Sequence, residues 1–266
     1  MVLEERRLGM AKPSKNDLVL IEYTMWAENG KRELVDTTDE ELAKKEGKYD
    51  PKRRYGPIPV VLGSGSLLEP VEQALYEMEE GEEKEIVVPP EKGYGERRED
   101  LIIRVSRKRL REAGIRAAVG EEVEIGGRKG RIIRVTERFV FIDFNHPLAG
   151  KKLYVKLALK RIVKDDEEKI KLLAVRYLRL PEDAIKVEKT GEDEYLLVLP
   201  SEALLLRDLE AILLSMLESI YKMTGARKIR IAIDVEFKRE EEKEEKTEQE
   251  GAQEGTAEES GEGASQ

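Results

Sequence analysis

Residues 18–25 form an apolar, β-rich run between Asn16-Asp17 and the turn Glu28-Asn29-Gly30, a pattern that predicts a strand entering a hairpin. The far side of the hairpin carries Leu34, Val35 and Asp36, and a long polar loop through Lys44, Lys45 and Gly47 leads to a short strand at 58–62. Pro70 opens a helix in which Val71, Ala74, Leu75 and Met78 recur at spacings of three and four, with Gly81 placed to end it. A strand at 85–88 stops at Pro89-Pro90 and gives way to the loop 91–95. This much predicts a twisted β-sheet covered by a single helix.

The pattern then changes. A basic, helix-like segment is followed by two alternating stretches around Gly126-Gly127 and Gly130, and thirteen Lys or Arg stand against seven Asp or Glu between 97 and 138, net +6. Asn145-His146-Pro147-Leu148-Ala149-Gly150 leads back into an apolar strand at 153–163 that would complete the first sheet. A third unit shows strand-like segments near Leu172, Ile185 and Tyr195, a helix over about 201–223 that Gly225 can stop, and a final strand alternating at Ile229, Ile231, Ile233, Val235 and Phe237. The expected class is α+β, in five parts: a flexible N-terminus at 1–15, a discontinuous domain at 16–96 and 144–163, a small mostly-β inserted domain at 97–143, an α+β domain at 165–237 and an acidic tail at 238–266.

Composition narrows the chemistry. The chain of 266 residues has no Cys, which excludes disulfides and thiolate chemistry, and its single His146 excludes His clusters. With one Trp and four Phe, the cores must be built from Val, Ile and Leu. From residue 238 onward four basic residues face eleven Glu, a net −7 of the chain's total −9, without apolar periodicity, so that segment is expected to stay disordered. The start of the chain lacks the apolar stretch of a signal peptide and nothing reaches transmembrane length, so a cytoplasmic protein is expected, with no membrane partner. The many Glu, Lys and Arg would suit a protein that works hot.

The order Tyr23, Asp36, Leu62-Gly63, helix, Pro-rich strand end, Gly93-Tyr94-Gly95, basic insert and Asn145-His146-Pro147-Leu148-Ala149-Gly150 resembles the SlyD-like, insert-containing branch of the FKBP isomerases over roughly residues 16–163. Its most specific piece is Asn-His-x-Leu-Ala-Gly, and the layout also looks like that of long archaeal-type members with an extra C-terminal domain. The resemblance implies an antiparallel half-barrel sheet with one helix across it, peptidyl-prolyl cis-trans isomerase activity and an apolar proline pocket. Its catalytic positions fall on Tyr23, Asp36 and Tyr94, and its substrate-binding positions on Val35, Ile58, Leu67, Leu68, Val71 and Val155. The family often has aromatic residues where this chain has Val35, Ile58, Val71 and Val155, which argues against a macrolide site. It also implies that the insert binds unfolded or nascent polypeptides containing X-Pro bonds, with Leu101, Ile102, Ile103 and Val105 as the candidate contacts and core as their default role. The family's metal-binding His-rich tail is missing, so no metal and no cofactor are expected.

Residue by residue, plainer readings stand beside these: Tyr23 and Tyr94 as ordinary aromatics with a wet polar tip, Asp36 as a turn residue ahead of Thr37-Thr38, and His146 as a structural residue at the junction. The broad apolar face of the 201–223 helix permits a homodimer through the C-terminal domain. Two rival functions remain, a holdase chaperone with little isomerase activity and an RNA- or ribosome-binding module through the basic insert. Nucleic acid is not the expected partner, because Phe139 and Phe141 share a strand one face of which must be core, leaving no aromatics between the basic residues for bases to stack on.

Overall fold

The computed structural model describes residues 11–236; the predicted acidic tail, Phe237 and the first ten residues lie outside them. The chain divides into two compact units at Lys169/Ile170. Its class is α+β, with antiparallel pairing throughout the sheets of the first unit and mixed pairing in the second. Among the described residues no helix is long and apolar enough to cross a membrane.

In the first unit, β1 (Leu18–Asn29) turns at Gly30 into β2 (Lys31–Thr37), with Gly30 at φ 73° as a tight hairpin requires. The first half of β1 pairs with β3 (Ile58–Val61), and its opposite edge pairs along ten residues with β9 (Leu153–Val163). β4 (Glu83–Val88) pairs with the far edge of β9, so the last strand of this sheet in sequence lies between β1 and β4. Ile21, Ala27, Leu153, Val155, Leu157 and Leu159 bury their side chains, and α2 (Glu69–Glu77) covers them with Val71, Ala74 and Leu75. The other face is wet and laced with cross-strand ion pairs, Glu22 with Lys160, Glu83 with Lys156 and Arg32 with Glu85.

Helix α2 ends before the glycine that the sequence pattern assigned to its end. Met78 turns extended at ψ 150° and is wholly buried, so the chain leaves the helix to place that side chain in the core. Gly81, at φ 85°, instead serves the turn into β4 and donates its N–H to the Leu159 carbonyl at 2.7 Å. The predicted polar loop after β2 also contains a short helix, α1 (Glu40–Lys45), in which Asp39 Oδ1 accepts from the Leu42 N–H at 3.0 Å.

Between β4 and β9 the chain builds a second sheet, in the order β5-β8-β7-β6, from β5 (Ile102–Ser106), β6 (Glu122–Ile125), β7 (Arg128–Val135) and β8 (Phe139–Asp143), with α3 (Arg107–Glu112) after β5. Leu110, Val123, Ile132, Val140 and Ile142 form its core. The buried residues of β8 are therefore Val140 and Ile142, and Phe139 and Phe141 occupy its opposite, half-exposed face. This corrects the expectation that the core would claim the two aromatics: the two-residue period of a strand lets only one set face in, and the aliphatic set does. The stem is tied by Arg97 Nη2 donating to Asp143 Oδ2 at 2.6 Å, by the Arg98 N–H donating to Asn145 Oδ1 at 2.9 Å and by the Gly150 N–H donating to the Gly95 carbonyl at 2.8 Å.

The second unit corrects two expectations. Leu172, read as part of a strand, lies on α4 (Asp166–Leu178), whose Ile170, Leu172, Leu173, Ala174, Val175 and Leu178 are buried. A continuous apolar run of this kind does not by itself distinguish a buried helix from a buried strand. The single helix expected over 201–223 is broken: a 3-10 turn at Ser201–Leu205 is followed by Asp208 at φ 57°, and α5 (Leu209–Thr224) begins there. β10 (Lys186–Gly191) and β12 (Lys228–Asp234) flank β11 (Glu194–Pro200); β11 and β12 run parallel, and α5 lies in the crossover between them that such a pair needs.

Gly130 offers a test of the second sheet. It lies opposite Val123 on the core side, where an added Cβ would sit 2.8 Å from Ile142 Cγ2 and 2.8 Å from Phe144 Cδ1. Overpacking of this kind costs ~1–3 kcal/mol. Gly130→Ala is expected to quicken hydrogen exchange of the β7 and β8 amides by roughly ten- to a hundredfold; unchanged exchange would mean that both neighbours give way freely.

Candidate functional site

The sheet and α2 bring most of the predicted site residues together. Val71 and Val155 are 5% and 1% exposed, within the main core. Tyr23, Val35, Ile58, Leu67 and Leu68 pack against that core while remaining partly accessible, together with Met25, Tyr76, Ile86 and Leu148, which the sequence reading did not assign to the site. The placement follows from strand period. Tyr23 and Met25 alternate with outward residues on β1 and lie opposite Leu157 and Val155 of β9. Pro70, in the first turn of α2, directs Val71 onto the same surface.

At the edge of this apolar cluster lies a carboxylate with its acceptors in use. Tyr23 donates its hydroxyl to Asp36 Oδ2 at 2.5 Å, and Asp36 Oδ1 accepts from the Arg53 guanidinium and from the Thr37 N–H, the latter at 2.9 Å. Arg53 also donates from Nη2 to the Tyr23 hydroxyl at 3.3 Å. The backbone beneath is fixed by Thr38, whose Oγ1 accepts from the Tyr23 N–H at 3.0 Å, and by the hydroxyls of Thr24 and Thr37, 2.9 Å apart. A β-bulge between Met25 and Trp26 shifts the β1–β2 register, so that Asp36 stands opposite Met25 on the inward-facing set of β1.

Burial first, then the hydrogen bond to Asp36 and its charge, push the Tyr23 phenol up to about 12, against the opposing charge of Arg53. The hydrogen bond to Asp36 raises the Arg53 guanidinium further above its usual range, against a smaller effect of burial. At neutral pH Tyr23 is therefore a neutral donor beside a fixed cation.

Arg53 is the residue that sequence reasoning missed. The available signal was indirect: the carboxyl group of Asp36 is about one-third exposed, and a partly buried carboxylate calls for a cation. The loop between α1 and β3 must return past Asp36, and it carries Arg53-Arg54.

Tyr94 is not among the side chains packed on this cluster. It lies on the loop after β4, 38% exposed, with its ring stacked flat on His146 at 4.3 Å between centroids. Its hydroxyl has no hydrogen-bond partner among the described residues. His146 Nδ1 accepts from the Leu148 N–H at 3.2 Å, linking this stack to a side chain packed on the main core. Among the described residues no group of three or more His, Asp or Glu side chains is placed to hold a metal ion.

Of the candidate contacts on the second sheet, Leu101 and Ile102 are half-buried and Ile103 is 41% exposed, while Val105 packs against the local core. Among the described residues β5, which carries Ile102, Ile103 and Val105, is an edge strand paired only with β8.

The family model of the FKBP-type peptidyl-prolyl cis-trans isomerases matches residues 9–107. A short-type peptidyl-prolyl cis-trans isomerase of Methanocaldococcus jannaschii is 37% identical over 154 residues, 58% of this chain and 96% of that protein. The FKBP-type peptidyl-prolyl cis-trans isomerase SlyD of Treponema pallidum is 31% identical over 163 residues, 60% of this chain and 83% of that protein. An FKBP-type 16 kDa peptidyl-prolyl cis-trans isomerase of Escherichia coli is 28% identical over 158 residues, 55% and 91% of the two chains. The chain belongs to the FKBP-type peptidyl-prolyl cis-trans isomerase family.

Proposed function

We propose that the protein catalyses rotation about X-Pro bonds at the apolar cluster beside Asp36, and that it is a SlyD-like member with an inserted domain at 97–143, a half-barrel isomerase domain at 16–96 and 144–163, and an additional C-terminal domain at 165–237. The observation that carries the catalytic reading is the Tyr23–Asp36–Arg53 cluster at the edge of a surface formed by Val35, Ile58, Leu67 and Leu68 over the buried Val71 and Val155. Rotation of a prolyl amide meets a barrier of ~18–20 kcal/mol because twisting removes the amide resonance. No bond is made or broken. A dry surface that grips the proline ring and favours the less polar twisted amide lowers that barrier, and ~4 kcal/mol corresponds to about a thousandfold acceleration.

In this reading Asp36 orients. Its oxygens already accept from Tyr23, Arg53 and the Thr37 N–H, so it acts as a fixed dipole partner for the substrate. Tyr94, whose hydroxyl is open, donates to a substrate carbonyl. The unfolded chain feeding the site docks along β5: an edge strand with exposed Ile103 offers backbone hydrogen bonds and an apolar side chain to an extended peptide. Holding such a chain nearby raises the local concentration of its X-Pro bonds. A homodimer through the C-terminal unit belongs to the same proposal, supported by the exposure of Leu204, Leu205, Leu214 and Tyr221.

Four measurements bear on this. In a proline tetrapeptide assay Asp36→Ala is expected to lower kcat/KM by roughly ten- to a hundredfold, the equivalent of one charge-assisted hydrogen bond, and Tyr94→Phe by about three- to tenfold. Ile103→Asp should leave tetrapeptide turnover unchanged and slow the catalysed refolding of a proline-limited protein. A parent chain no faster than buffer in either assay would end the isomerase reading in favour of a holdase.

Tyr23 supplies the pH test. An unfolded tyrosine loses its proton near ~10, while the folded one keeps it until about 12. The folded state therefore binds more protons in that window, and the stability this group contributes is fully present below the lower value and lost as pH rises through the upper one. The difference in phenolate absorbance between the parent and Tyr23→Phe should titrate near 12. Asp36→Asn should lower that value without returning it to the unfolded one, because burial remains. Light scattering should give a dimer mass for the parent and a monomer mass for Leu205→Glu; a monomeric parent at high concentration removes the dimer.

A further inference from the structure

On the face of the second sheet opposite its core, β8 presents Phe139 and Phe141, two residues apart and so about 7 Å apart along the strand. On β5, Arg104 stands opposite Phe141, and its guanidinium lies 4.5 Å from the ring centre of Phe139. On β7, a register shift between Ile132 and Arg134 skips Ile133, so that Arg134 rather than an isoleucine stands opposite Phe141, 3.8 Å over its ring. A bulge of this kind re-aims a side chain, and here it places a cation where unbroken alternation would place an aliphatic group. The two aromatics are thus flanked on both sides by planar cations.

These cations are not neutralised in the way those of the main sheet are. Lys152, Lys156, Lys160 and Arg32 each pair with a glutamate. Among the described residues, neither Arg104 nor Arg134 lies within ion-pair distance of a carboxylate, and nor do Arg107, Arg111 and Arg138. The last three, with Lys108, line an open groove of about 350 Å³ that continues from Phe139 past Ser106, with Glu137 as its one carboxylate. On the other side the path is closed by charge, because Glu122 and Glu124 of β6 share the open face and Arg131 is taken up by Glu122 at 3.1 Å.

We propose that this face binds single-stranded nucleic acid, with bases stacking on Phe139 and Phe141 and phosphates running from Arg134 past Arg104 into the groove lined by Arg107, Lys108, Arg111 and Arg138. Aromatic rings interleaved with unpaired arginines satisfy the two requirements of such a site, a stacking platform and an electrostatic track. A flat guanidinium over each ring can stack on a base or move aside to a phosphate. An extended apolar peptide has no use for this excess of cations, and an acidic peptide has no planar groups for the rings. The site is separate from the β5 edge proposed for unfolded chains.

The test is fluorescence anisotropy of the whole chain with labelled twelve-nucleotide oligouridine and oligothymidine, and with labelled polyglutamate as a polyanion without bases. Oligonucleotide binding is expected to weaken with salt at a logarithmic slope of about −4 for six phosphate contacts, and Arg104→Gln with Arg134→Gln should reduce that slope by about 1.4. Phe139→Leu and Phe141→Leu should each weaken it about tenfold, with circular dichroism and tetrapeptide turnover as in the parent. Tighter oligouridine marks RNA as the ligand and tighter oligothymidine marks DNA; either outcome supports the site. Polyglutamate binding as tightly, indifference to both Phe substitutions, or no oligonucleotide binding alongside capture of a permanently unfolded polypeptide would each overturn it.

Discussion

The first unit depends on the insertion of β9 between β1 and β4. Until residues 153–163 arrive, β4 has no strand to pair with in the sheet and β1 has one edge unpaired. The chain leaves at Val88 and returns at Leu153, so everything between must close on itself and leave its two ends side by side. The stem achieves this with local polar bonds. Asn145 is held on both sides, accepting from the Arg98 N–H and donating to the Arg98 carbonyl, and its Nδ2 also reaches Asp143 Oδ1 at 2.7 Å. The Asn-His-x-Leu-Ala-Gly segment therefore has a physical role before any chemistry: Asn145 clamps the stem, His146 stacks on Tyr94, Leu148 packs on the main core and Gly150 reaches back to Gly95.

The candidate active surface is a consequence of that closure. With β9 in place, Val155 and Leu157 come to lie opposite Met25 and Tyr23, and α2 has an apolar floor to cover. Asp36 can remain a half-buried carboxylate only because Tyr23, Arg53 and the Thr37 N–H saturate it. A group so committed is suited to holding a field fixed while an amide twists, which is electrostatic preorganisation without a proton in flight.

The two sheets of the first unit handle their polar faces in opposite ways. The main sheet neutralises its cations with glutamates across strands, each pair contributing little to stability but together leaving a face of balanced charge. The second sheet places arginines over phenylalanines and leaves them without carboxylates, a face whose charge is available to a partner. The bulge in β7 makes the difference at its centre.

Much of this was legible in the order of residues. The apolar runs of β1 and β9, alternation on β12, the hairpin at Gly30, Pro70 at the start of α2 and the basic stretch between β4 and β9 are local patterns, and local patterns survive translation into structure because strand and helix periods are properties of the backbone. α1 was not read, because its acidic and basic residues have the pattern of a polar loop. Tertiary structure decided the rest. Arg53 reaches Asp36 from seventeen positions away, past α1 and the loop after it, a contact that no period encodes. The Leu172 segment became helix because burial in a folded unit overrides the appearance of a short apolar run, and the left-handed backbone of Asp208 split the next helix. The face taken by Phe139 and Phe141 depended on which of two alternating sets a core would claim, and that is settled only when the facing strands supply Ile132 and Val123.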